Sequence, residues 1–543
     1  MTRKDEKRRF LLAGLMLGMF FSSMDQTVVG TAMPRIIGDL GGLDILTWVS
    51  IAYMLSSTSI VPVAGKLADI LGRRNIYITG IAIFMIGSAL CGLSQNMGQL
   101  ILFRGIQGIG AGIMMPLAMT IVGDYFPPEK RGKWMGIMGA LYGLSAIVGP
   151  IMGGYIVDHA VWRWVFYINL PFGALAIAGI YLGLYGEKPI KKDVKIDYAG
   201  AFSLIISVVS LMLALTVGGK EFAWTSWQVF ILLTIFALAA VTFVYIESAT
   251  KEPILSLSFF KNKSFTIINI VGFLAGMGMF GTMMFLPLYL QGVQSFSATS
   301  SGSIMIPMIL SIIVASIAGG RLIRKFQFRV FFIAGMLLMS LGLFLLGTID
   351  QSTTKTVTVL IIVCIGMGIG VMMPSTTVAI QNAFPAEQRG VATSSTQFFR
   401  SIGATIGMAA FGAIMNLKSI SILQNSLFPK IQGVKELAQG VLGHSIEKAH
   451  SNPQSLFNIL LKPELLNSLN DSTRRLLLVP LKYALADSLH LVFFIAGFTA
   501  LAGVAIGYFL GDERIRPNNS SETDSDDLKE EKLQNAGLSG EPA

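Results

Sequence analysis

Cysteine is nearly absent from this sequence. Only Cys91 and Cys364 occur, both inside apolar runs, so neither a disulfide framework nor a thiolate metal site is indicated. Histidine is almost as scarce, and His159, His444, His450 and His490 show no ligand spacing. No metal and no cofactor is expected. Charge is sparse as well, at 13% of residues against 53% hydrophobic, and a soluble globule of this size would lack the polar side chains to cover its surface. The bilayer must be its solvent. No nucleophile, metal cluster or pair of catalytic carboxylates stands out, which argues against an enzyme. In a soluble protein a net charge of +10 would suggest nucleic acid as a partner. Here the basic residues occupy short loops between apolar runs, a pattern that orients a membrane protein and gives no reason to expect nucleic acid.

Apolar runs of about 20 residues, the length that crosses a hydrocarbon core, fall at 10–33, 47–65, 75–94, 99–122, 133–156, 164–184, 198–218, 226–246, 265–290, 302–322, 329–348, 357–381, 391–416 and 488–510. Each must be a helix, because lipid leaves the polar groups of an open strand unpaired. The first run follows Arg3, Lys4, Lys7, Arg8 and Arg9, but it is too long for a secretion signal and lacks a clear cleavage site. It reads as a retained span. Loops on the side of the N-terminus carry Lys66, Arg73, Arg74, Lys130, Arg131, Lys133, Lys188, Lys191, Lys192, Arg324 and Lys325, while the short loops opposite hold only Arg35, Arg163, Lys220 and Lys355. Both termini are therefore expected in the cytoplasm, with the chain multi-pass in the cell membrane.

A repeat lies inside the chain. Gly108-Ile-Gly-Ala-Gly-Ile-Met-Met-Pro116 returns as Gly366-Met-Gly-Ile-Gly-Val-Met-Met-Pro374, and Phe126-Pro-Pro-Glu-Lys-Arg-Gly132 returns at the same displacement as Phe384-Pro-Ala-Glu-Gln-Arg-Gly390. An even number of spans separates the copies, so they share one membrane orientation and are parallel repeats. The expected organisation is an all-α integral membrane protein: a cytoplasmic N-terminus at 1–9, a six-helix bundle at 10–185 and a cytoplasmic linker at 186–197. Two inserted helices at 198–247 follow, then a second six-helix bundle at 265–510 that includes an external loop at 417–487, and an acidic, disordered cytoplasmic tail at 511–543.

Asp25, Arg104 and Arg400 lie well inside spans, where a charge costs ~2.5–3.5 kcal/mol on insertion scales and so calls for a partner or a task. At 1.5 Å per residue, Asp25 sits about 13 Å and Arg104 about 8 Å below the same membrane face. The pair reads either as a proton-coupling site or as a permanent ion pair that fixes helix packing. Arg400, with no obvious acidic partner, reads as structural or gating. The loop Gly65-Lys-Leu-Ala-Asp-Ile-Leu-Gly-Arg-Arg74 joins Gly65 and Gly72, which permit a tight turn, to Asp69, which can cap a helix or pair with Arg73 or Arg74 as a conformational latch. The fifth span carries a small-residue stripe, Gly139, Gly143, Gly149, Gly153 and Gly154, with Pro150 beside it. Such a stripe brings helices close, either as ordinary packing or with Pro as a bend.

Gly65–Arg74 resembles the loop signature of the major facilitator superfamily, and Leu102–Ala111 resembles its span-4 motif. Gly139–Gly154 is similar to the antiporter motif of its exporters. Ser23–Pro34 together with Trp162–Pro171 resembles the fourteen-span drug:proton antiporter-2 branch, the EmrB/QacA-type exporters. The resemblance implies the major facilitator fold and assigns Asp25 and Arg104 to proton coupling, Asp69 and Arg73 to the latch, and Gly149 and Pro150 to a hinge-like fifth span. It departs from that branch in two ways. Spans 302–322 and 391–416 hold neither Asp nor Glu, so dication recognition is not implied, and Gly30 replaces the usual Asn of the first-span motif.

The function expected is proton-coupled export of hydrophobic, monocationic or neutral small molecules by alternating access, with protons as the coupling ion. A lipid or glycolipid exporter is the alternative. Partners are such substrates and membrane lipids, and the protein is expected to act as a monomer. Most of the 28 methionines are expected to be packing or lipid-facing residues, but a thioether lining suits a promiscuous cavity. The segment 417–487 is read as a helical hairpin capping the cavity, a surface-lying segment or an irregular loop.

Overall fold

The computed structural model describes residues 3–41, 45, 47–183, 197–219, 221–250, 253–296, 298–427, 429, 457, 460, 471–512 and 514. Among the described residues, fourteen helices are long and apolar enough to cross a membrane. They are α1 (Arg3–Leu40), α2 (Thr47–Leu71), α3 (Arg73–Leu93), α4 (Met97–Tyr125), α5 (Pro128–His159), the pair α6 (Trp164–Tyr167) and α7 (Asn169–Gly183), α8 (Tyr198–Val217) and α9 (Trp227–Ala249). The rest are α10 (Lys263–Gly292), α11 (Ala298–Leu322), α12 (Phe328–Leu346), α13 (Lys355–Ala383), α14 (Arg389–Ser426) and α15 (Asp471–Tyr508). Polar caps mark several starts. Asn96 accepts from Gln99 N–H at 2.9 Å, Asp197 from Gly200 N–H at 2.7 Å, and Asn262 from Ser264 N–H at 3.0 Å.

The sixth span is two helices rather than one. Pro171 has no N–H to give the carbonyl of Tyr167 four residues back, and the chain restarts at Asn169. The break places Asn169 in a first turn, facing inward. A second difference lies at the expected loop 417–487, because α14 runs on to Ser426 and α15 already begins at Asp471. Lys418 and Asp487, which read as loop residues, pair across these helices at 3.2 Å, and Ser419 Oγ lies 2.8 Å from Ser488 Oγ. The middle of that segment lies outside the described residues, as do the linker before Asp197 and the tail after residue 514.

Small residues decide how the spans pack. In α4, Gly108 and Gly112 meet the α2 carbonyls of Tyr53 and Ser57, while a Cβ on Gly110 would lie 2.6 Å from the α3 carbonyl of Gly80. The second copy repeats this geometry. Cβ atoms on Gly366 and Gly370 would lie 2.5 Å from the α11 carbonyls of Met308 and Ile312, and one on Gly368 would lie 2.5 Å from the α12 carbonyl of Gly335. Alternate glycines thus seat two neighbours against the fourth span of each half.

The remaining partners follow the same rule. α1 packs on α5 and α7, as α10 packs on α14 and α15. Across the interface α5 meets α11 and α14 meets α2, the fifth span of each half on the second span of the other. The result is two matched six-helix bundles, with α8 and α9 inserted between them in sequence. These two pack on each other, and α8 also touches α2 and α14. Most of α9 faces outward through residues such as Trp227, Phe230, Val241 and Tyr245.

Candidate functional site

Asp25 lies near the middle of α1, its carboxylate closed off from solvent. One oxygen pairs with Arg104 of α4. The other accepts from Gln107 Nε2 at 2.9 Å and Asn169 Nδ2 at 2.8 Å. Arg104 also donates to Gln107 Oε1 at 2.7 Å and lies over the Tyr53 ring of α2 at 4.2 Å. Ser88 of α3 accepts from Gln107 at 3.1 Å and from Asn169 at 2.9 Å, and donates to the carbonyl of Phe166 at 2.8 Å. Five of the six spans in this half therefore converge on one carboxylate. The expected Asp25–Arg104 pairing is present, while Gln107, Asn169, Ser88 and Tyr53 are partners that reading the sequence missed. A signal existed for two of them: Gln107 stands three residues after Arg104, on the same helix face, and Asn169 is a lone amide in an apolar run.

The α2–α3 turn forms a second cluster where the halves touch. Gly72 has φ +94°, a backbone conformation that side chains disfavour, and it reverses the chain so that Asp69 and Arg73 pair. Asp69 also accepts from the N–H of Val391 at 3.0 Å. A carboxylate from one half thus caps the first turn of α14 in the other, where unpaired N–H groups favour negative charge. Arg73 donates to Asp124 at 3.0 Å and to the carbonyl of Ala386 at 3.1 Å. Arg389 reaches Asp124 at 3.2 Å. Gly65 and Gly390 have no room for a side chain: a Cβ on Gly65 would lie 2.7 Å from Gly390 O, and one on Gly390 would strike Asp69.

Gly65, Asp69, Gly72 and Arg73 are thus brought together as expected, joined by Asp124 and Arg389. Arg74 is not part of the cluster, because it turns back into its own half and stacks over Tyr181 at 4.3 Å. On the rest of this end, Gly123 abuts Gln381, Gln381 donates to Met119 O at 2.9 Å, and Gly132 meets Gly320.

The α5 stripe divides into two rows. Gly139 and Gly143 face Ser316 and Ile313 of α11 in the other half, whereas Gly149 and Gly153 seat Thr27 and Thr31 of α1. Thr27 donates to the carbonyl of Ser145 at 3.3 Å, and Ser145 donates to Ser23 at 2.7 Å. These contacts bracket Asp25 in sequence. Gly154 meets nothing within 4 Å, and α5 stays one unbroken helix past the exposed Pro150.

Between the halves lies a cavity of about 310 Å³ whose wall includes Ser22, Gln26, Tyr53, Arg104, Tyr142 and Arg400. Asp25 is not in that wall; Arg104 stands between it and the space. A larger chamber of about 580 Å³ lies beyond, sharing Ser50 and Met54 with the cavity and walled in part by Met212 and Trp224 of the inserted segment.

Two parallel-related bundles of membrane helices around a central cavity are the architecture of a secondary transporter. The chain belongs to the major facilitator superfamily, whose description, Major Facilitator Superfamily, matches residues 15–408. It is 46% identical to the multidrug transporter protein MdtP of Bacillus subtilis (strain 168), over 93% of this chain and 92% of that one. It is 36% identical to multidrug resistance protein 3 of the same organism, over 95% and 97%. Among solved structures, the human organic anion transporter MFSD10 aligns with a TM-score of 0.60 at 14% identity, covering 91% of this chain and 99% of that one. The proton:xylose symporter XylE aligns with 0.58 at 13%, covering 96% and 99%. The fold is the major facilitator fold and the protein is a transporter, not an enzyme.

Proposed function

We propose that this protein is a proton-coupled antiporter that exports hydrophobic, neutral or monocationic small molecules by alternating access, in the manner of a multidrug efflux transporter. The two Bacillus relatives, named for multidrug transport and resistance, support multidrug efflux. The observation that carries the coupling is the carboxylate of Asp25, sealed from solvent yet bound to a guanidinium on the cavity wall. When Asp25 takes up a proton, Arg104 loses its counter-charge. Breaking a buried pair costs ~3–5 kcal/mol, enough to favour a different arrangement of α1 and α4 or to admit a substrate. Release of the proton restores the pair and expels the substrate. The site residues take the roles of proton coupling (Asp25, Arg104), latch (Gly65, Asp69, Gly72, Arg73) and helix interface (Gly139, Gly143, Gly149, Gly153).

With the protein in the cell membrane and both termini cytoplasmic, the Asp69–Arg73–Asp124 end faces the cytoplasm. Its close glycine contacts then support an arrangement shut on the cytoplasmic side. The test uses proteoliposomes with pH gradient and membrane potential set independently. One proton exchanged for one monocation moves no net charge, so the gradient alone drives it, at about 1.4 kcal/mol per pH unit. Drug flux indifferent to the pH gradient, or undiminished in Asp25→Asn, would sink the proposal.

Lipid or glycolipid export is the second reading, favoured by the apolar chamber of about 580 Å³ beside α8. Lipid retained by the purified protein and displaced by no drug would favour it.

A further inference from the structure

Among the described residues, the wall of the central cavity holds two charged side chains, Arg104 and Arg400, and no carboxylate. Arg104 is neutralised from behind by Asp25. Arg400, on α14, is not: its guanidinium meets Gln397 Oε1, and among the described residues no Asp or Glu pairs with it. A guanidinium carries five N–H donors in a planar fork and accepts nothing, so the contact with Gln397 leaves donors to spare on a residue that lines the cavity. Tyr142 of α5, from the other half, lines the same wall, as do Gln397 and Ser401.

Arg400 also borders a second, smaller recess lined by Met279, Met339, Met372 and Met373. Met279 and Met373 belong to both spaces, so a molecule held at Arg400 has an adaptable apolar slot within reach.

We infer that Arg400 is a substrate-recognition residue that binds a carboxylate or similar anionic oxygen on a compact amphiphile, whose apolar body lies against the methionine recess. Planar two-point contact with a carboxylate is the geometry a guanidinium serves and an ammonium does not. The inference widens the proposed neutral and monocationic range to compact anions at this site. The compact body follows from the space, because a cavity of about 310 Å³ stands at the lower end of drug-sized sites. The inference rests on the proposed function only in taking this cavity as the substrate site.

The test titrates the full-length protein in lipid nanodiscs with dansyl-leucine and with its methyl ester, following dansyl fluorescence. The acid is expected to bind at least about tenfold more tightly than the ester, the ratio that one charge-assisted hydrogen-bonded contact supplies. Arg400→Gln should bring the acid to the affinity of the ester, and Arg400→Lys should retain only part of the preference. Equal affinities in the wild type overturn the inference without any variant, so a poorly folding variant does not protect it. A parallel loss of acid and ester in a folded Arg400→Gln also overturns it. Competition separates compact ligands from acyl lipids: stronger displacement by 2-naphthaleneacetate than by laurate supports the compact assignment, and the reverse order refutes it. Acid preference with flux indifferent to pH would defeat proton coupling alone, whereas pH-driven flux without acid preference would defeat this inference alone.

Discussion

Asp25 illustrates how much a single buried charge asks of its neighbours. Four hydrogen-bonding side chains from three other spans surround it directly or at one remove, and the three direct ones, Arg104, Gln107 and Asn169, satisfy lone pairs that lipid would leave bare. Asn169→Ala removes the donor at 2.8 Å without touching the cavity wall. It is expected to slow proton-driven export by about ten- to a hundredfold, from the ~1.5–3 kcal/mol that a hydrogen bond to a charged group is worth. Efflux rates at two pH gradients check this, and a rate equal to wild type at both would show that Asn169 does not support the coupling carboxylate. At the latch, Gly390→Ala places a methyl group on the Asp69 carboxylate. The shut arrangement should lose stability relative to the opposite one, seen as faster cysteine-reagent labelling of a Ser394→Cys reporter in the double variant than in the single reporter.

At the scale of helices, α5 touches α1 around Asp25 on one stretch and the opposite half on another. Gly149 and Gly153 hold it to α1 around Asp25, and Gly139 and Gly143 hold it to α11. Under the proposed coupling, a shift of α1 on protonation of Asp25 would reach the interface between halves without any longer path. Gly153→Leu should push α5 off α1, since even a Cβ there would lie 2.9 Å from the carbonyl of Val28. The expected result is lost transport with folded protein still in the membrane, measured as dye accumulation normalised to surface expression. Gly154→Leu is the control: nothing lies within 4 Å, and transport should persist. Equal effects of the two would mean that the stripe works by bulk and not by contact.

For the whole molecule, charged side chains join the two halves at one end. Arg73 serves Asp69, Asp124 and the carbonyl of Ala386 together. Arg73→Ala leaves two carboxylates without that partner, which should weaken the shut arrangement by ~3–5 kcal/mol. A two-state equilibrium responds to such a change by orders of magnitude in population. Spin labels placed across the latch should report a longer mean distance, and an unchanged distance would show that glycine packing alone holds the halves.

The helix count, the parallel repeat and the charged pair were legible in the residues because lipid makes local demands: each span must satisfy its own backbone, and each intramembrane charge must find a partner. Asp25 and Arg104 stood out for that reason, as did Asp69 and Arg73 beside a glycine turn. Other features were decided only by tertiary packing. That Asn169 faces inward depends on a helix break, that Asp124 joins the latch depends on α4 lying against α14, and that Arg74 leaves it depends on Tyr181 of α7. Arg400 was visible as a charge, but not as the uncompensated one in the cavity wall, because compensation depends on which helix faces meet. Small-residue contacts between distant stretches of chain choose those faces, and no single span contains that information.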